Sequence, residues 1–147
     1  MLTELLIACG IVAICVMIHI TGMVMLAEKL LDRRAELERQ QGMMHHTLLL
    51  IMVFAIIILL HLAGTAIWAA FFRWQMLFSD YETSFYFSLT SYTTVGYGDV
   101  LLPHKWRLLG CIEALTGVLL CGLSTAFIFV IVTMLFQIRF QQQTKRG

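Results

Sequence analysis

Ser91-Tyr92-Thr93-Thr94-Val95-Gly96-Tyr97-Gly98-Asp99 is a polar stretch, punctuated by glycine and set between long apolar runs. Glycine takes positive φ at no steric cost, so Gly96 and Gly98 can alternate in handedness with Val95 and Tyr97. Such alternation would turn successive carbonyls, from Thr94 to Gly98, toward one side of an extended strand. Hard cations are bound by oxygen, and a row of carbonyls is a ligand set of oxygens. The side chains of Val95 and Tyr97 would then point away from the oxygens, into the protein, and brace the row at a fixed radius. The stretch describes part of a cation-binding tube built from the backbone of Thr94, Val95, Gly96, Tyr97 and Gly98.

The surroundings are those of a membrane chain. Of its 147 residues, 60% are hydrophobic and 13% charged, which is too apolar for a soluble domain of this size. A formal charge of +1 with no basic block argues against nucleic acid as a partner. The cysteines (Cys9, Cys15, Cys111 and Cys121) lie in apolar segments without a Cys-x-x-Cys pair, so neither a disulfide framework nor a zinc site is indicated. No enzyme is expected. The sequence offers no nucleophile and base pair or metal-ligand spacing, and Gly96-Tyr97-Gly98 lacks the lysine of a phosphate-binding loop.

Immediately before the quoted stretch, Met76 to Tyr92 is too short and too polar to span a bilayer. Ser79-Asp80-Tyr81-Glu82 fits a capping box with Ser79 as the cap, so a helix should start near Asp80. About a dozen residues make a helix of roughly 18 Å, enough to enter a bilayer halfway and stop at the glycines. Its C-terminal end would place partial negative charge there, which favours a cation. Irregular backbone at membrane depth is tolerable where protein surrounds it or it lines a cavity. After the stretch, Pro103 ends the extended segment, and Trp106 and Arg107 suit a membrane interface.

In this setting Thr93-Thr94-Val95-Gly96-Tyr97-Gly98-Asp99 resembles the selectivity filter of tetrameric potassium channels. The resemblance covers roughly Thr47 to Phe136, is most specific in Thr93 to Asp99, and leaves the first 46 residues outside it. It implies an all-α integral membrane protein with three transmembrane helices, a re-entrant pore helix and filter loop between the second and third, and a homotetramer around a central pore. Residues 1–46 would be an extra N-terminal helix and a charged cytoplasmic connector, 47–136 the pore domain, and 137–147 a short cytoplasmic tail. Within the pore domain the outer helix is expected at 47–72, the pore helix at about 80–92, the filter at 94–98 and the inner helix at 108–136. The implied ligand is dehydrated K+ at the carbonyls of Thr94, Val95, Gly96 and Tyr97, with no other cofactor.

The resemblance also implies roles around the filter. Asp99 at the outer mouth would bond to the pore helix, with Tyr86 as partner; the family commonly has tryptophan in that part of the helix. The Tyr97 hydroxyl would bond into the pore-helix layer. Ser91 keeps the hydroxyl of the threonine that the family often has there. Gly117 and Gly122 fall where inner helices carry glycines, as a gating hinge or as close-packing sites, and Gly122 with Ala126 makes a small-xxx-small pair. Glu113 is the one charge in the third span; an unpaired carboxylate at that depth is costly, so it should be bonded to pore-helix groups such as Thr90 or carry its proton.

The other spans are plainer. Leu5 to Leu26 is uncharged and just long enough to cross about 30 Å of hydrocarbon. It starts Met1-Leu2-Thr3-Glu4, without the basic region and cleavage site of a signal peptide, and so reads as a retained helix. His19 within it and His61 within the uncharged run Thr47 to Phe72 are expected to be satisfied packing residues, His19 bonded to a neighbouring carbonyl. From Ala27 to Gly42 the chain turns charged, with mixed-sign pairs such as Lys29–Asp32, Arg34–Glu38 and Glu36–Arg39, and Gly42 as a stop. This connector, 27–46, is a solvated helix or a docking surface for a regulatory partner; adjacent His45 and His46 are poorly spaced for a metal.

Basic residues set the topology. Lys29, Arg33, Arg34 and Arg39 in the connector and Arg139, Lys145 and Arg146 in the tail, against none in Met1 to Glu4, place connector and tail in the cytoplasm. The N-terminus and the filter then face outside, in a multi-pass protein of the cell membrane. No span carries arginines at every third position, so no voltage sensor of that type is expected. Three functions compete: a potassium-selective channel, a component of a potassium uptake transporter, and an accessory or modulatory membrane subunit. The single intact loop favours the first.

Overall fold

A computed structural model describes residues 2–34, 37 and 43–144. Helix α1 spans Leu2–Asp32, α2 Met43–Trp74, the short α3 Tyr81–Tyr92, and α4 Arg107–Thr144 after a 3-10 turn at His104–Trp106. The described residues contain three helices long and apolar enough to cross a membrane: α1, α2, and α4 with its preceding turn. The expected stop at Gly42 and the pairs Arg34–Glu38 and Glu36–Arg39 lie at least partly outside the described residues. Helix α4 is 38 residues long and continues beyond the expected end at Phe136 into polar sequence, reaching roughly 57 Å.

Local chemistry sets the helix ends. Helix α2 closes in a Schellman turn: Leu77 N–H donates to Phe72 O and Met76 N–H to Arg73 O, each at 3.0 Å. Methionine occupies the left-handed position usually given to glycine, with φ 54° at Met76. Helix α3 begins one residue later than the capping box predicts. Asp80, not Ser79, is the cap: its Oδ1 accepts from Thr83 N–H at 2.7 Å, and its Oδ2 from the hydroxyls of Ser79 at 2.6 Å and Thr83 at 2.9 Å. A carboxylate has the lone pairs for all three donors, and its charge suits a helix N-terminus. These bonds, the Ser79 hydroxyl first and Thr83 next, hold the Asp80 carboxyl below its ordinary range.

Two apolar clusters stack along the bundle. One joins Ala8, Ile11 and Cys15 of α1, Trp68, Phe71 and Phe72 of α2, Phe87 and Tyr92 of α3, and Leu109 of α4. The other joins Leu26 and Leu30 of α1, Val53 and Ile57 of α2, and Ile131 and Leu135 of α4. Helix α3 thus enters the bundle only at the first cluster, where its 12 residues, about 18 Å of helix, stop partway along the longer α2 and α4. Glu4 near the start of α1 lies 3.5 Å from Lys105 in the turn before α4, so the N-terminus of α1 sits at the same end as the chain leaving the glycine loop. The outward faces of the long helices carry exposed Ile14, Met17, Phe54, Leu59, Leu119 and Phe129, a surface suited to lipid or to other membrane helices.

Candidate ion-conduction site

The loop after α3 is built from alternating backbone. Thr94, Gly96 and Gly98 have φ of 62°, 52° and 79°, while Val95 and Tyr97 between them do not enter the left-handed region. Glycine accepts this freely; threonine does so at a cost in strain, so the surrounding bonds must over-determine Thr94. They do. Thr94 N–H donates to Ser91 O at 2.9 Å, Gly96 N–H to Thr90 O at 3.0 Å, and Thr93 donates to Leu89 O from both its N–H, at 3.1 Å, and its hydroxyl, at 2.6 Å. The loop's amides therefore cap the open carbonyls of α3. A planar trans peptide sets C=O opposite N–H, so the carbonyls of Thr93 and Val95 point away from the helix that their peptide hydrogens face.

Thr93 to Asp99 are all exposed on the single chain. Val95 and Tyr97, expected to brace the loop against protein, are 52% and 71% exposed, so this chain does not supply the wall they would pack on. At the far end of the loop the Tyr86 hydroxyl donates to Asp99 Oδ2 at 2.8 Å, closing a tie between α3 and the loop exit. That bond to a carboxylate pushes the Tyr86 hydroxyl's own ionisation up. Beside the loop entrance lies a cavity of about 660 Å³, lined by Tyr92, Thr93, Thr94, Gly117, Gly122 and Thr125 among others.

One face of α4 carries α3. Gly110, Glu113 and Gly117 are three and four apart and so share a stripe. A Cβ on Gly110 would sit 3.3 Å from the Phe87 ring, and one on Gly117 would collide with the carbonyl oxygen of Tyr92. Gly117 is therefore a close-approach site, where the backbone of α4 meets the last residue of α3. Gly122 differs: nothing lies within 4 Å of its added Cβ, and neither it nor Ala126 is covered by the chain. Glu113, between the two contact glycines, is fully buried, and neither carboxyl oxygen has a hydrogen-bond partner. Ser88 of α3, also buried and unpartnered, is the hydroxyl that interacts with this carboxyl, without the geometry of a hydrogen bond. Thr90, expected as its partner, instead donates to Phe87 O at 2.9 Å.

The two intramembrane histidines are not isolated packing residues. His19 Nε2 lies 2.8 Å from Ser124 Oγ, a hydroxyl rather than the expected carbonyl. His61 Nε2 reaches the same oxygen at 3.2 Å, and His61 Nδ1 reaches the Tyr92 hydroxyl at 3.2 Å. Ser124, Ser88 and Gly110 have no motif of their own in the sequence. Gly110 could have been found from its spacing to Glu113 and Gly117, whereas Ser124 meets His19 across 105 positions of chain and leaves no local signal.

What the fold and this site define is a helical membrane protein in which a half-length helix presents a backbone loop beside long spanning helices. Residues 47–136 match the family model described as ion channel, and the chain belongs to that family. The match takes in α3, the glycine loop and most of α2 and α4. No curated protein and no solved structure matches the chain.

Proposed function

We propose that the chain is the subunit of a potassium-selective channel, with Thr94 to Gly98 as one quarter of its filter. The observation that carries this reading is the alternation of φ, positive at Thr94, Gly96 and Gly98, on a loop whose amides are turned back onto α3. A strand so alternated presents carbonyl oxygens where a cation sheds water, and the C-terminal end of α3 adds partial negative charge beside them. Support for a homotetramer comes from what one chain leaves open: exposed Val95 and Tyr97, uncovered Gly122 and Ala126, and the cavity below Thr93 and Thr94. Other copies would cover the first four and join the cavities into a vestibule on the pore axis. Asp99, tied to Tyr86, would stand at the mouth; Thr90 would support the filter from behind through its carbonyl, which accepts from Gly96 N–H, and Glu113 through the seat of α3.

In the same reading K+ is the permeant ion, held by the carbonyls of Thr94, Val95, Gly96 and Tyr97, and the protein lies in the cell membrane. The proximity of Glu4 to Lys105 supports one shared face for the N-terminus and the filter mouth, and the count of basic residues makes that face the outer one. Purified protein reconstituted alone into liposomes, with its oligomeric state verified, should pass K+ far faster than Na+, and barium should block it. A verified tetramer that shows no selective flux overturns the reading and leaves an accessory subunit.

A further inference from the structure

Between the two apolar clusters lies a layer of hydrogen-bonding side chains contributed by all four helices: His19 from α1, His61 from α2, Tyr92 from α3 and Ser124 from α4. The rings of His19 and His61 are 4.6 Å apart, centre to centre. His19 and Ser124 are fully or almost fully buried.

Counting donors gives the layer a direction. The Ser124 hydroxyl has one hydrogen and two acceptor sites, and it donates to Leu120 O at 2.9 Å, the usual back-bond of a helical serine. Both imidazoles must then donate to Ser124 Oγ from Nε2. A neutral imidazole protonated at Nε2 accepts at Nδ1, and the group facing His61 Nδ1 is the Tyr92 hydroxyl, which donates. The hydrogens are thus fully placed: Tyr92 to His61, His61 to Ser124, and His19 to Ser124. His19 Nδ1 is left buried without a partner, so His19 is held in the layer by Ser124.

Tyr92 is where this layer meets the ion pathway. It is the last residue of α3, directly before Thr93. Its hydroxyl is bound by His61, its ring lies against Gly64, where an added Cβ would be 3.4 Å from the hydroxyl, and its carbonyl abuts Gly117. Cys15 of α1, whose thiol points to Gly64 O at 3.9 Å, closes the same corner.

The geometry points to His19, Ser124 and His61 as positioning residues for the entrance of the proposed filter, acting through the Tyr92 hydroxyl. Helix α1, outside the region that matches the ion channel family, is then a working part of the conduction device. Its His19 shares the Ser124 oxygen with His61 and packs against that ring, Ser124 and His19 together fix the His61 ring, and His61 holds the tyrosine from which the loop departs.

This inference rests on the potassium-channel reading and predicts how variants combine. In liposome flux assays, S124A, H19L and Y92F should each lower the K+/Na+ flux ratio several-fold. S124A with Y92F, and H19L with Y92F, should be no worse than the more severe single variant, because each pair breaks one chain of bonds. H19Q, whose amide can still donate to Ser124 Oγ, should keep the wild-type ratio. The rings of His19, His61 and Tyr92 also pack on one another, so packing too would couple their effects; H19Q separates the two, because it keeps the donor and loses the ring. Losses that multiply in the double variants, or an S124A ratio equal to wild type, overturn the inference; if H19L does not assemble, S124A and Y92F decide it. A wild type that passes cations without preference breaks the potassium reading instead. The relay is then read in total cation flux, where the same non-multiplying pattern is required.

Discussion

The two ends of the bundle are held together by different means. At the loop end, Trp68, Phe71, Phe72, Phe78 and Phe87 form a group of rings with centroids 5.2–6.3 Å apart, several of them edge to face, with Phe72 of α2 at the centre and Phe87 of α3 against it. At the other end the buried side chains of the cluster are aliphatic, Leu26, Leu30, Val53, Ile57, Ile131 and Leu135, with Phe127 packed against them. In a bilayer this difference matters more than buried area, because lipid tails are as apolar as leucine and exchanging one for the other gains little. Close packing and interhelical hydrogen bonds, the latter worth about 0.6–2 kcal/mol each, discriminate between arrangements. The first cluster is close-packed and adjoins the hydrogen-bonded layer of His19, His61, Tyr92 and Ser124, which ties α3 to the three long helices.

The comparison is most exposed at Gly117. Placing a methyl group there drives it into the Tyr92 carbonyl, a backbone atom that cannot step aside. G117A should cost at least the roughly 1–3 kcal/mol of an overpacked core and abolish selective flux. I131A in the far cluster should leave ion preference intact. Paired flux and melting measurements on the two variants check this, and equal losses of selectivity would erase the distinction between the ends.

Glu113 tests whether buried polar groups or shape hold α3. E113Q keeps the volume and can donate to Ser88, so its stability should stay within about 1.5 kcal/mol of wild type, the range of a volume-conserving change, with a melting temperature close to it. E113A leaves a cavity beneath α3 and should cost about 2–5 kcal/mol. If E113A melts like wild type, the stripe of Gly110, Glu113 and Gly117 is not the seat of α3.

Two smaller effects lie at the exposed surface. Y86F removes the 2.8 Å bond to Asp99, and current through the variant should decay faster during sustained opening while ion preference is kept. Asp80 gives a pH dependence whose sign follows from its lowered carboxyl. The capping bonds favour the charged form, so their contribution is complete above the unfolded carboxyl value of about 3.9. It is lost as pH falls through the lower folded value. Wild type should therefore melt above D80N at neutral pH, and the gap should close in strong acid. A gap that widens on acidification would contradict the assignment.

Much of this was legible in the sequence, for reasons that differ by element. The spans are long apolar runs, uncharged but for Glu113 in the third, whose length sets them against a bilayer, and α3 carried both a capping signal and a length too short to cross. Its cap shifted from Ser79 to Asp80 because a carboxylate outcompetes a hydroxyl for several donors at a helix start. The alternation in the loop could be foreseen from Gly96 and Gly98, but Thr94 could not: nothing in threonine asks for φ of 62°, and only the bonds back to α3 impose it. The sequence placed Gly117 on the right helix without choosing between hinge and contact, and the Tyr92 carbonyl beside it supplies the contact. The layer of His19, His61 and Ser124 was hidden because its partners are 63 and 105 positions apart, and a helical serine carries no mark of what it will meet.

The central claim is that the loop's alternating backbone selects K+. The reversal potential of the reconstituted protein, measured in a planar bilayer with K+ on one side and Na+ on the other, tests it most directly. The account predicts reversal displaced far toward the K+ equilibrium potential, and lost displacement in G117A if that variant still conducts. Reversal near zero in wild type, with both ions carrying current equally, would contradict it.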